Sequence, residues 1–357
     1  MRVLALTKYG PRAASTRYRF EYMRPWLEAA GIQIELSPLL DDVYLAQRLT
    51  SERVDRGAML RGFARRFARL LLSARYDVIW LQYEAVPFLP PAIELRALTR
   101  GAKLVLDLDD AVFHSYDLHG NAWVRRLLGD KIGRLARAAN ATLAGSPYLL
   151  DFVRSFGGTG RFIPTAVDPS IYPVKTHAPL DALTVGWIGS PSSSRYLELV
   201  EPALERLGAQ IPVRLLTIGA RPRTLSEVEV VSLPWDPSTE LSDLSRADVG
   251  IMPMVDEPWA RGKCAFKLIQ YAALGLPVLA TPIGMNARVV GEDAGFLPES
   301  LDAWVDRLAE LFADTELRAR LGAAGRRRVE EEFAFDVVGP RLVSVFEGLS
   351  SGRTNHA

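Results

Sequence analysis

The sequence predicts an α/β fold made of two units, each built on a parallel sheet. Short apolar runs of strand length alternate with stretches of helical period along almost the whole chain. The alternation breaks once, at VDPSIYPVKTHAPLDA (167–182), where Pro169, Pro173 and Pro179 punctuate a stretch with no periodic apolar face. The length, 357 residues, accommodates about two domains with a core each. The expected layout is a first unit over 1–167, a linker over 168–181, a second unit over 182–335, and a terminal segment over 336–357 that crosses back to the first unit.

Bulk composition excludes more than it assigns. Lys and Arg number 43 against 42 Asp and Glu, a net charge of +1, so nothing points to nucleic acid and any basic function is local. The one cysteine, Cys264, admits no intrachain disulfide and suits a reducing compartment. The start, MRVLALTKYG, lacks the long apolar region of a signal peptide, and no run approaches the roughly 18 apolar residues of a membrane span. The expected location is cytoplasmic, at most peripheral at the inner face of a membrane.

In the first unit, Arg2–Thr7 reads as a strand, the loop KYGPRAAST leads to a helix with Phe20, Met23, Leu27 and Ala30 on one face, and Gly31 ends it before the strand Ile32–Leu36. Ligands of such sheets lie at the carboxyl ends of the strands, which puts Ser15, Thr16, Arg17 and Arg19 at the mouth of a cleft. A helix follows over Arg56–Arg75, with Leu60, Phe63, Phe67, Leu70 and Leu71 in one stripe and Arg61, Arg65 and Arg69 in another. Its reading is a sheet-covering helix with a solvated basic back; peripheral contact with anionic lipid is the one membrane association that the sequence admits.

DVIWLQY (77–83) and KLVLD (103–107) are buried strands, and the second runs into Asp109 and Asp110. Those carboxylates with Asp107 and His114 converge near the same strand end, either as turn and cap groups or as a general base; a metal is not inferred from one DxD. A helix over 123–138, a strand over 141–144 and a helix over 147–155 complete the unit.

The second unit restarts with a strand over 183–188, the loop GSPSSS and a helix over 194–207. Ser190 and Arg195 there form either an anion cradle or an ordinary capping loop. Strands over 213–217, 228–232 and 248–252 lead to the most concentrated stretch of the chain, Asp256–Gly284. It reads as a loop, a helix from about Lys263 to Leu274, a stop at Gly275 and Pro277, and a strand over Val278–Ala280. At about 100° per residue, Lys263, Lys267 and Gln270 fall on one helix face, where two ammonium groups beside a helix N-terminus suit a diphosphate.

The order of these elements, with KLIQYAALGLPVLATPIG, DAGFL, GWIGSPSSSRYL, LDLDDA, GSPYLLDFV and LRARLGAAGRRRVEEEF, resembles the GT-B glycosyltransferases, family-four (glycosyl transferases group 1) type, over nearly the whole chain. The resemblance implies two Rossmann-like domains facing across a cleft, the second holding a UDP- or GDP-sugar and the first a glycan, lipid-linked or small-molecule acceptor. Transfer would proceed with retention, with no cofactor and no metal. The family carries two glutamates eight positions apart; here those positions are Gly262 and Gln270, a departure that removes both charges. The roles then expected are Lys263, Lys267, Arg195 and Ser190 on the diphosphate and Gln270 on the ribose. Glu257 and Arg261 are expected at the sugar, Trp235 at the base or in the core, and Asp109, Asp110, His114 and Arg17 at the acceptor. Two other activities fit the same fold: a nucleotide-sugar epimerase, and a non-catalytic nucleotide-sugar-binding partner protein.

Overall fold

The structure, a computed structural model, describes residues 1–49 and 55–351. It divides into two compact units: Met1–Thr165 with Gly262–Cys264 and the chain from Phe335, and Ala166–Arg261 with Ala265–Ala334. Residues 352–357, the end of the segment expected to cross back, lie outside the described residues.

The first unit holds a six-stranded sheet, β1 (Arg2–Tyr9), β2 (Gln33–Leu40), β3 (Val78–Gln82), β4 (Lys103–Leu108), β5 (Ala141–Ala144) and β6 (Gly160–Phe162), in the order β2-β1-β3-β4-β5-β6. Among the described residues its strands pair in parallel throughout. Helices cover both faces of such a sheet, which is why β3 and β4 read as nearly unbroken apolar runs rather than as alternation. Trp80 on β3 is fully buried, with the Phe20 ring 4.2 Å and the Phe346 ring 5.3 Å away. Phe346 belongs to the helix Phe335–Ser351, which packs into this unit: Phe335 lies 5.6 Å from Trp26, and a Cβ on Gly339 would stand 2.5 Å from the Trp26 ring.

The second unit repeats the plan with β7 (Leu183–Ile188), β8 (Val213–Ile218), β9 (Glu229–Leu233), β10 (Val249–Met252), β11 (Val278–Ala280) and β12 (Gly295–Phe296), ordered β12-β11-β10-β7-β8-β9 and again parallel. Trp187, Leu204, Ile251, Leu279, Trp304 and Leu308 share its core. The two α/β sheets expected from the alternation are therefore present.

Several elements differ from their sequence reading. The helix expected over 194–207 is a run of tight turns over Pro191–Leu199 followed by an α-helix over Glu201–Gly208. Pro202 lacks an N–H to continue the first segment but suits the first turn of a new one. The helix expected from Lys263 starts at Phe266, because Ala265 adopts a left-handed conformation (φ 54°) that a helix cannot pass through. Lys263 is thus not on the helix that carries Lys267 and Gln270, and it falls in the first unit.

The basic helix is also turned differently. It spans Arg56–Leu71 and buries Gly62, Arg66 and Leu70, while Leu60, Phe67 and Leu71 are exposed. A Cβ at Gly62 would lie 2.2 Å from the Leu39 carbonyl oxygen, so the glycine lets the helix close on β2 and directs that face inward. The buried Arg66 guanidinium meets the carbonyls of Thr7 and Ser37, and burial lowers its pKa to about 9. The apolar stripe expected against the sheet is in part the outer face.

Candidate functional site

The second unit assembles its polar groups at the carboxyl ends of β7 and β8. Directly after β7, Gly189 packs against Lys267: an added Cβ would stand 2.7 Å from the ammonium nitrogen and 2.5 Å from the Trp187 ring. The ammonium in turn lies 4.2 Å from the Trp187 ring centroid, a cation–π contact that holds the charge at the strand end. After β8, Gly219 (φ 85°) takes a conformation that favours glycine, and a Cβ there would meet the Gly189 carbonyl oxygen at 2.5 Å and Trp235 at 3.1 Å. Two glycines bring the backbones of both strand ends together beside a fixed positive charge.

The GSPSSS turn adds hydroxyls. Ser190 Oγ lies 2.9 Å from Ser192 Oγ, and Ser193 Oγ donates to the Ser190 carbonyl at 2.9 Å. Arg195 donates to Glu257 at 2.7 Å and to Tyr196 Oη at 3.1 Å, while Tyr196 donates to Glu257 at 2.5 Å. The hydrogen bond to Tyr196 and then the Glu257 charge push the Arg195 pKa further up. Arg195 is therefore already paired with the carboxylate assigned to the sugar, and the two form one group. Arg261 pairs with Asp256 through two bonds of 2.6 and 2.9 Å, and that partner is foremost in holding the Asp256 carboxyl below its usual range.

Gln270 is almost fully buried, and its amide donates to Glu240 Oε1 at 2.5 Å. The other oxygen of Glu240 accepts from the Trp235 indole N–H at 2.6 Å. Glu240 was missed in the sequence, where TEL reads as an ordinary helix start. Its significance comes from a partner 30 residues away, which no local pattern announces. A carboxylate thus stands behind Gln270 and fixes both that amide and the indole.

The first unit gathers a separate set at the carboxyl end of β4. Asp107 is fully buried; Arg19 Nε donates to it at 2.6 Å and the Trp80 indole at 3.1 Å. Burial raises the Asp107 pKa to about 6 in spite of Arg19. Asp109 accepts from Tyr83 Oη, and Asp110 accepts from the Ala111 N–H at 2.9 Å and lies 3.9 Å from Lys263 Nζ. The three carboxylates face different partners instead of converging, and among the described residues no group of three or more His, Cys, Asp or Glu is arranged to hold a metal ion.

His114 is engaged at both ring nitrogens, 2.9 Å from Asp117 and 2.9 Å from Tyr148 Oη. Arg17, expected at an open mouth, is buried and donates to the Arg12 carbonyl at 3.2 Å. Cys264 is buried with its thiol donating to the Asp109 carbonyl at 3.1 Å, and burial pushes that thiol well up. Three further side chains brace the loop after β3: Lys131 Nζ meets Glu84 at 2.5 Å and Glu94 at 2.9 Å, and donates to the Val86 carbonyl at 2.7 Å. The sequence reading passed over them because each partner lies far along the chain.

Comparison with known proteins follows from this geometry. Residues 182–314 match the family described as Glycosyl transferases group 1. The chain is 35% identical over 83 residues, 22% of its length, to a GDP-mannose-dependent monoacylated alpha-(1-6)-phosphatidylinositol monomannoside mannosyltransferase of Corynebacterium glutamicum. It is 25% identical over 180 residues, 46% of its length, to the capsular polysaccharide biosynthesis glycosyltransferase CapM of Staphylococcus aureus. These matches span 21% and 46% of the two relatives. Among solved structures, sucrose-phosphate synthase from Thermosynechococcus elongatus superimposes with a TM-score of 0.71 at 16% identity, over 99% of this chain and 100% of that one. Anabaena HepE in complex with UDP follows at 0.68 and 15%, over 98% and 100%.

Proposed function

We propose, from the premise that the chain has the GT-B fold and that its residues 182–314 belong to the glycosyl transferases group 1 family, that it is a glycosyltransferase acting on a nucleoside diphosphate sugar. The observation that carries the reading is the Lys267 ammonium set against Gly189 at the end of β7, inside the family-matched segment.

The donor is a UDP- or GDP-sugar. HepE is known in complex with UDP, and the corynebacterial relative is named as GDP-mannose-dependent. Its diphosphate takes Lys267, Ser190 with the backbone N–H groups of the turn, and Arg195; the nucleoside end takes Gln270, braced by Glu240, with Trp235 bordering the base. Glu257, held by Arg195 and Tyr196, takes sugar hydroxyls, with Arg261 nearby in sequence. Asp109, Asp110 and Lys263 in the first unit are assigned to the acceptor, a glycan or a lipid-linked glycan, whereas Arg17 is buried and His114 is engaged at both ring nitrogens.

In the transfer, the bond from the anomeric carbon to the diphosphate oxygen breaks and a bond to the acceptor oxygen forms. The acceptor oxygen bonds on the face that the diphosphate leaves, so anomeric configuration is retained, and the departing phosphate oxygen takes the acceptor's proton, so no enzymic base is needed. Fixed cations at the diphosphate stabilise the charge that grows on it, which lets the step run without a metal. At position 270 the amide stands in place of a charge and is held by the Glu240 carboxylate.

The test is donor consumption by the purified protein with UDP-sugars and GDP-sugars, with and without a panel of oligosaccharide and lipid-linked acceptors. The expected result is nucleoside diphosphate release that depends on an acceptor, with a product of the donor's anomeric configuration by NMR. A donor whose sugar is epimerised in the absence of acceptor, or no consumption of either donor series, overturns the reading.

A further inference from the structure

The helix Phe266–Ala273, which carries Lys267 and Gln270, is stopped by Gly275 (φ 70°), and the carbonyls at such a helix end have no partner within the helix. Groups distant in the chain but within the second unit take them. Ala273 O accepts from Arg326 at 2.5 Å, Leu274 O from the Lys175 N–H at 2.8 Å and Gly275 O from His177 Nε2 at 2.9 Å. The segment over 172–178 is itself pinned along its length. Arg326 also donates to the Tyr172 carbonyl at 3.2 Å and Arg318 to that of Ala178, while Lys175 Nζ lies 3.0 Å from Asp248 and donates to the Ala247 carbonyl at 2.8 Å. A Cβ on Gly322 would collide with the Gly275 carbonyl oxygen and stand 3.1 Å from His177 Nε2, so a glycine there makes room for that contact.

His177 makes this arrangement conditional. A carbonyl can only accept, so Nε2 carries the proton and, in the neutral ring, Nδ1 holds a lone pair. Nδ1 is buried and has no hydrogen-bond partner. The charged groups that face the ring are Arg318 and Lys175, which repel a proton there, and Asp248, which attracts one; burial above all holds the imidazole below its ordinary 6.5. A second ring proton would bring an unpaired donor and a third cation into one place.

We propose that the segment over 172–178 is a cap on the helix of Lys267 and Gln270, and that His177 makes the cap acid-sensitive. With the ring neutral, the cap holds the helix end and so fixes both side chains; a proton on Nδ1 loosens it and weakens donor binding. His177 is a positioning residue in this account, which rests on the assignment of Lys267 and Gln270 to the donor. The sign follows from the buried ring: the docked segment takes up a proton less readily than the released one, so the cap is complete above 6.5 and weakens as pH falls from there toward the lowered pKa of the ring.

The experiment has two arms, run on the full chain from about pH 8 to about pH 5, the range in which an imidazole titrates. In the first, hydrogen–deuterium exchange of the peptide over 172–178 is compared between the wild-type protein and His177→Gln at each pH, which cancels the intrinsic pH dependence of exchange. Glutamine keeps an N–H donor for the Gly275 carbonyl and does not titrate. The two proteins are expected to exchange alike at the alkaline end, and the wild type roughly threefold or more faster at the acid end. In the second arm, affinity for UDP-glucose and for GDP-mannose is measured. Wild-type affinity falls on acidification and His177→Gln holds it, whereas His177→Ala, which loses the donor, is weaker by roughly threefold to tenfold already at the alkaline end. Exchange that is alike in the wild type and His177→Gln at the acid end overturns the proposal, as does donor affinity that acid leaves unchanged or wild-type affinity in His177→Ala. Binding of neither donor at the alkaline end is the separate failure of the transferase reading, and the exchange arm then decides the cap by itself.

Discussion

Lys267→Ala lowers turnover by roughly a hundredfold to a thousandfold, the loss typical when a fixed charge or donor at a developing anion is removed. The ammonium is positioned by two features of the second unit, the Trp187 ring 4.2 Å away and the bare backbone of Gly189. Its removal costs the fold about 0.5–1 kcal/mol through the lost cation–π contact. Initial rates at saturating donor, compared with the thermal melt of the same preparation, check both halves of this expectation. A companion change isolates position from charge. Gly189→Ala puts a methyl group where Lys267 Nζ stands 2.7 Å and a Trp187 ring atom 2.5 Å away, so the ammonium is displaced with its charge intact. A comparable loss of rate is expected. A Lys267→Ala protein that turns over at the wild-type rate would remove the diphosphate assignment.

Asp107→Ala destabilises the first unit by about 3–5 kcal/mol, because it strands the Arg19 guanidinium in the core with its charge partner gone. Denaturant titration measures that loss. Asp107→Asn keeps the shape and an acceptor, and separates charge from packing. Burial raises the native carboxyl from its ordinary 3.8 to about 6, so between those values the folded chain holds a proton that the unfolded chain has released. This group therefore contributes stability below its unfolded pKa and loses it as pH rises through the folded one. Asp107→Asn removes that downward slope, and the difference between the two stability-against-pH curves shows it. Parallel curves would mean that Asp107 is ionised in the fold across the whole window.

The alternation of apolar runs with helical stretches was enough to read the two sheets, since strands covered on both faces must be apolar almost throughout. β5 and β7 fall where they were expected, at Ala141–Ala144 and Leu183–Ile188. The errors have local causes that a periodicity cannot carry. Ala265 in a left-handed conformation delays a helix by three residues and takes Lys263 off the face of Lys267; alanine gives no warning of that conformation. Gly62 turns the basic helix because its missing Cβ makes room for a carbonyl, so the smallest residue, not the apolar stripe, chose the inner face.

At the candidate site, Lys267, Ser190, Arg195, Glu257, Gln270 and Trp235 were all legible as polar or aromatic residues beside strand ends. Their connections were not. The pairing of Arg195 with Glu257 spans 62 residues, and that of Gln270 with Glu240 spans 30; both exist only after the second sheet has formed. The buried pair of Arg19 with Asp107 spans 88 residues and likewise had no local signature. A glutamine at position 270 looked like a lost charge, whereas the fold supplies a carboxylate to that amide from another helix.

Calorimetric titration of UDP and of GDP into the wild-type protein and into Lys267→Ala tests the central claim most directly, because it asks for the donor site without needing the acceptor. One nucleotide is expected to bind the wild-type protein at one site per chain, and its affinity to fall by about tenfold or more in the variant, the cost of losing a charge-assisted contact to phosphate. Binding of neither nucleotide, or equal affinity in both proteins, would contradict the account.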